Sequence, residues 1–160
     1  MNEALAPYCD LLPSGDTNSH CVELDDGGVI VAGRHALILI RDGEVVDSGM
    51  WYEVQNARWK GELQELSVNW VDPARPALVV HASGSSVRAF MDDLTEKVHR
   101  TQVMVRTVSA DNGTVITAQI RRREDRALFS VVSANGALDD QGLALARSFE
   151  AQLRESVGLD

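Results

Sequence analysis

Ala36-Leu37-Ile38-Leu39-Ile40-Arg41-Asp42-Gly43-Glu44-Val45-Val46-Asp47 sets two short apolar runs around an Asp-Gly pair. A two-residue hairpin turn of the favoured type wants positive φ at both central positions, and glycine supplies it without strain. The stretch therefore predicts an antiparallel hairpin. Working outward, similar short runs place strands near residues 19–24, 29–34, 36–41, 44–47, 54–59, 64–71 and 77–82. Asp25-Asp26-Gly27-Gly28, Lys60-Gly61 and Asp72-Pro73 punctuate them. Glu65-Leu66-Ser67-Val68-Asn69-Trp70 alternates polar and apolar, the pattern of a strand with one face in a core. Seven short strands joined by turns exclude a parallel α/β sheet, which needs a helix between strands, and predict a sandwich or barrel.

The period then changes. Val87, Phe90, Met91, Leu94 and Val98 fall on one helical stripe. Ser85 or Ser86 is placed to cap the start, and Lys97, His99 and Arg100 sit at the end that the helix dipole makes negative. Three further strands are expected at 102–109, 113–122 and 126–134, with a last helix from about Asp139 to Val157. Ala146, Phe149, Leu153 and Val157 give that helix its apolar stripe, Asp139 or Asp140 its N-cap and Gly158 its stop. Residues 1–18, with Pro7, Pro13 and Gly15, read as a loosely ordered lead-in.

Seven antiparallel strands followed by one amphipathic helix resembles the pleckstrin-homology-like barrel, in which the helix closes one end of two near-orthogonal sheets. The run Val29 to Ile40 is similar to the strand, turn with a basic residue, and apolar strand of bacterial members. Met50 to Trp59, followed by Leu66-Ser67-Val68, is similar to their approach segment and following strand pair. Together these stretches resemble a family of small actinobacterial proteins of unassigned activity with the same barrel and a strand-rich tail. The expected fold is thus α+β: a seven-strand barrel with its closing helix over 19–101, then a three-strand antiparallel extension with a C-terminal helix over 102–160, packed on the first unit. Eukaryotic relatives bind phosphoinositides through basic loops. The first half is strongly acidic and its turns carry no Lys/Arg cluster, so lipid binding is not carried over.

Charge supports that restriction. Fifteen Lys+Arg stand against 24 Asp+Glu, a formal net charge of −9, which argues against nucleic acid or an anionic membrane as the main partner. Residues 1–84 hold 5 basic and 13 acidic side chains, and the remainder 10 and 11. No run approaches the roughly 20 apolar residues of a membrane helix. The opening Met1–Pro7 lacks a basic start and an apolar core, so no export signal is read and a cytoplasmic location is expected. Cys9 and Cys21 are then expected as reduced thiols.

Candidate sites are few. Cys9, His20, Cys21 and His35 are metal-ligand types, but structural sites usually bring ligands in pairs two to four residues apart, and adjacent His20 and Cys21 point to opposite faces of a strand. No metal, cofactor or catalytic set is assigned. Ser83, Gly84 and Ser85, beside His81, offer hydroxyls and a helix N-terminus for an anion, although capping alone explains the serines. Arg121, Arg122, Arg123 and Arg126, with Glu124 and Asp125 among them, form the densest charge cluster. Strand alternation gives Arg121 and Arg123 one face and Arg122 the other, so both sides of this hairpin tip are expected to be wet. Trp51, Trp59 and Trp70 are expected in the core.

The leading expectation is a non-enzymatic binding module, an adaptor or regulator of another protein. One alternative is a small-molecule or anion binder, or weak hydrolase, using the barrel mouth or the Ser83–Ser86 turn. The other is a self-associating protein in which Arg121–Arg126 of one copy meets the acidic half of a second.

Overall fold

The computed structural model describes residues 2–159. Among the described residues the chain is α+β, with three antiparallel sheets and two α-helices, and it divides into two compact units, Met1–His99 and Arg100–Asp160.

In the first unit, β1 (His20–Glu23), β2 (Val29–Ala32), β3 (Ala36–Arg41) and β4 (Glu44–Met50) form one sheet in chain order. The β3–β4 turn takes the expected form: Asp42 and Gly43 have φ of 51° and 74°, and Arg41 pairs with Glu44. A second sheet holds β5 (Val54–Lys60), β6 (Glu65–Trp70) and β7 (Leu78–His81). Helix α1 (Val87–Thr101) follows. Its stripe of Val87, Phe90, Leu94 and Val98 is buried with Ile30, Leu37 and Leu39 of the first sheet and Leu66, Val68 and Val80 of the second. One core is thus built from both sheets and the helix.

Neither sheet closes on itself into the continuous seven-strand barrel the sequence suggests. Between β4 and β5 the chain passes through a 3-10 turn, Trp51–Glu53, and the ring of Trp70 lies against the backbone of Gly49. A Cβ at Gly49 would stand 2.8 Å from Trp70 Cη2, so this corner is packed by an indole that only glycine admits. Elsewhere Asp25 N, just after β1, donates to His81 O at the end of β7 at 3.0 Å.

β2 and β3 are buried on both faces, which is why Val29–Ala32 and Leu37–Ile40 read as unbroken apolar runs. Residues 2–18 cover the outer face. The opening stretch, expected to be loose, carries 3-10 helices at Glu3–Tyr8 and Asp16–Asn18, and it buries Leu5 and Leu12 against Cys21, Val29, Val31, Ile38 and Ile40. Polar ties help hold it. Asp16 is buried and accepts from the Arg34 backbone N–H at 2.9 Å, while Asn2 Nδ2 donates to Ser19 O at 3.3 Å. These 3-10 turns lack the 3.6-residue stripe that would have revealed an apolar face.

The second unit is a three-stranded sheet, β8 (Gln102–Ser109), β9 (Val115–Arg122) and β10 (Leu128–Asn135), with β9 central, followed by α2 (Asp140–Ser156). Asp139 caps α2 by accepting from Gly142 N at 2.7 Å, and Gly158 ends it with φ of 79°. Ala146, Phe149 and Leu153 of α2 pack on Ile116, Ala118 and Ile120 of β9. Among the described residues no helix is long and apolar enough to cross a membrane.

Candidate functional site

The ends of β1 and β7 and the start of α1 meet at one mouth of the first unit. Ser83, Gly84, Ser85 and Ser86 are all exposed there. Gly84 has φ of 126°, a conformation that glycine permits, and Phe90 N donates to Ser86 O at 3.1 Å as the helix begins. Ser83 Oγ lies 3.3 Å from Asp25 Oδ1, and His81 Nε2 lies 3.2 Å from Glu65 Oε2. Serine and histidine thus each engage a different carboxylate. The grouping of Ser83, His81 and an acid that a nucleophile would need is not assembled in this arrangement. Next to it, Asp26 accepts from Gly28 N at 3.0 Å and from Arg41 Nε at 2.7 Å. These contacts, the Gly28 amide first, hold its carboxyl below the usual range.

Inside the mouth the lining is apolar. Val80 and Ala82 of the β7 strand end, Val87 and Phe90 of α1, and Leu24 and Leu66 form a buried floor, with Trp59 and Met91 half-buried above it. The void left between them is about 10 Å³. That is roughly the volume of one water-sized probe, far below the ~300–1,000 Å³ of small-molecule sites. Trp51 and Trp70 lie deep in the core at 4% and 5% exposure, as expected of them, but Trp59 stands at its rim. The position was legible in outline: Trp59 is the last apolar residue before the Lys60-Gly61 turn, where a strand leaves the core.

In the second unit the arginine cluster is divided. Arg122, Arg123 and Arg126 are exposed around the β9–β10 turn. Arg121 is fully buried, contrary to the expectation that both faces of the tip are wet. It sits on the central strand, opposite Gln102 and Phe129, and its Nε donates to Gln119 Oε1 at 3.0 Å. Burial lowers its pKa to about 10. Alternation along β9 places Arg121 on the face opposite Ile116, Ala118 and Ile120, but alternation cannot say that this face is also covered at its centre. Arg121 is therefore withdrawn from any surface patch.

A second, open cleft of about 370 Å³ lies between Ala110–Asp111 and the start of α2 at Asp139–Gly142. Its Asp139 carboxylate already serves as the helix cap. Cys9 is exposed and Cys21 buried, both as free thiols, with burial pushing the Cys21 thiol up. His20 is exposed beside Cys21, on the opposite side of the strand. Comparison of the chain with family profiles, with curated proteins and with solved structures returns no match.

Proposed function

We propose that this chain is a binding module for another protein, built on a pleckstrin-homology-like barrel, and that the partner is gripped at the mouth formed by Trp59 and Met91. The supporting observation is the combination found there: an aromatic and a methionine, both half-buried, over an apolar floor. Tryptophan supplies large contact area at low entropic cost, and methionine re-packs readily around an incoming side chain. A four-stranded sheet, a three-stranded sheet and a closing helix, in that chain order, support the barrel reading.

The charge of the first unit describes the partner. Residues 1–99 contain 7 basic and 16 acidic side chains, a net of −9, while residues 100–160 contain 8 of each. The segment bound at the mouth is therefore one with an apolar anchor and basic flanks, recruited faster at low salt. A void of about 10 Å³ favours this reading over a small-molecule pocket at the same place, because a protruding side chain needs only local displacement of Met91.

Selection of a displayed random-peptide library on the full chain, with counter-selection on a Met91→Glu variant, tests the proposal. The expected outcome is enrichment of peptides sharing an apolar or aromatic anchor near Lys or Arg. Recovery of peptides that bind both forms equally would contradict it.

A further inference from the structure

Asn112 and Asn135 are each followed by glycine, and both pairs lie at the same end of the second unit's sheet. An asparagine before glycine is open to attack by the next backbone nitrogen on its own side-chain carbonyl carbon, because glycine has no Cβ to obstruct the succinimide ring that forms. The fold treats the two pairs differently. Gly113 lies in the turn between β8 and β9, where its N–H donates to Ala110 O at 2.9 Å. Asn112 Oδ1 accepts from Thr114 N at 3.1 Å, and Asn112 Nδ2 donates to Ala137 O at 3.1 Å. Both the attacking nitrogen and the amide it would attack are therefore held in place.

Asn135 ends β10, an outer strand, and both it and Gly136 are exposed. Arg123 N donates to Ala127 O at 2.9 Å, and antiparallel bonding pairs recur at every second residue, so Val115 and Asn135 form the last such pair of the ladder. The Gly136 N–H consequently points away from β9, off the outer side of β10. Among the described residues neither it nor the Asn135 carboxamide has a hydrogen-bond partner. Only the last ladder pair has to open for the nitrogen to reach the side chain, and frayed ends open at little cost.

We propose that Asn135 is a site of spontaneous covalent modification, converting in the folded protein to aspartyl and β-linked isoaspartyl forms while Asn112 is spared. Gly136 N bonds to Asn135 Cγ as the Cγ–Nδ2 bond breaks. The Gly136 proton passes through solvent to the departing Nδ2, which leaves as ammonia. A water molecule then adds its hydroxyl to one of the two imide carbonyls and returns a proton to Gly136 N. Opening at Cγ restores the main chain with a carboxylate side chain, whereas opening at the other carbonyl routes the main chain through Cβ and Cγ. Water is the co-reactant, and nothing is oxidised or reduced. The product carries a new negative charge in the connection that leads to Asp139 and Asp140 at the start of α2. The β-linked form also lengthens the chain just before Ala137, whose carbonyl accepts from Asn112 Nδ2 and from Thr114 Oγ1.

Tryptic peptide mapping of the full chain, aged at mildly alkaline pH, is the test. Cleavage after Arg106, Arg121, Arg126 and Arg147 puts the two asparagines on separate peptides, 107–121 and 127–147. The expected result is an amide-to-acid mass increase in peptide 127–147, split between two chromatographic peaks. Its rate should exceed that of peptide 107–121 at least about tenfold, since three hydrogen bonds hold the Asn112-Gly113 pair. In guanidinium chloride the two rates are expected to converge. Equal rates in the folded protein would overturn the proposal, as would a peptide 127–147 that stays unmodified while the unfolded chain converts. A ratio that denaturant leaves unchanged would also overturn it, because local sequence and not the fold would then set the difference. Asn135→Gln is expected to abolish the main acidic species that isoelectric focusing resolves in the aged protein, and persistence of that species in the variant would contradict the assignment.

Discussion

Gly49 and Arg121 are the residues where small changes have the largest expected consequences. A methyl group at Gly49 lands on the Trp70 ring, whose stem is fixed in β6, so neither side can yield cheaply. Gly49→Ala is expected to cost about 3 kcal/mol or more in urea denaturation, with a changed near-ultraviolet dichroism signal from the displaced indole. Arg121 brings a charge into a fully buried position. Arg121→Ala leaves both a void and an unmatched Gln119, an expected loss of about 3–5 kcal/mol, whereas Arg121→Met keeps most of the volume and should cost less. The pH dependence has a definite sign. An arginine whose pKa is lowered to about 10 on folding holds its proton less tightly in the native state. The cost of that buried charge is fully present below the folded value and is relieved as pH rises through it toward the unfolded value. Wild type should therefore gain stability relative to Arg121→Met between about pH 8 and pH 11, as read by urea titration of both proteins, and a constant difference would show that the charge carries no such cost.

Elements were legible where their period is strict. The Asp42-Gly43 turn, the alternation of Glu65–Trp70 and the stripe from Val87 to Val98 each specify an element through local chemistry alone, and each is found. The outer face of the first sheet was not legible. Val29–Ala32 and Leu37–Ile40 announce burial on both faces, but nothing in Asn2–Asn18 shows a helical or strand period that would identify it as the cover. The buried position of Arg121 was hidden for a related reason, since a polar side chain on a sheet face reads as solvent-facing until its surroundings are known. The cover yields an expectation at this scale. Leu5 is its most buried side chain, and Leu5→Ala should cost about 2–5 kcal/mol. Because Cys21 lies beneath the segment, with Asn2 Nδ2 3.5 Å from its Sγ, the same substitution should accelerate thiol labelling of Cys21 in a Cys9→Ser background. Labelling at an unchanged rate would mean that the segment does not govern access to that face.

At the scale of the molecule, net charge is divided unevenly between the two units. One unit carries the whole net charge and a mouth rimmed by Trp59 and Met91, and the other is neutral and ends its sheet on an open strand. The pairing of His81 with Glu65 and of Ser83 with Asp25 gives these polar groups structural partners at the rim. The most direct measurement of the central proposal is a methyl and indole NMR titration of the full chain with a selected peptide, using methionine-methyl labelling. Met91 lies at the mouth, Met50 at the end of β4 and Met104 in the other unit, so the chain contains its own controls. The account predicts a saturable shift of the Met91 methyl and the Trp59 indole N–H, with Met104 unmoved. A peptide that binds while Met91 and Trp59 stay still would contradict it.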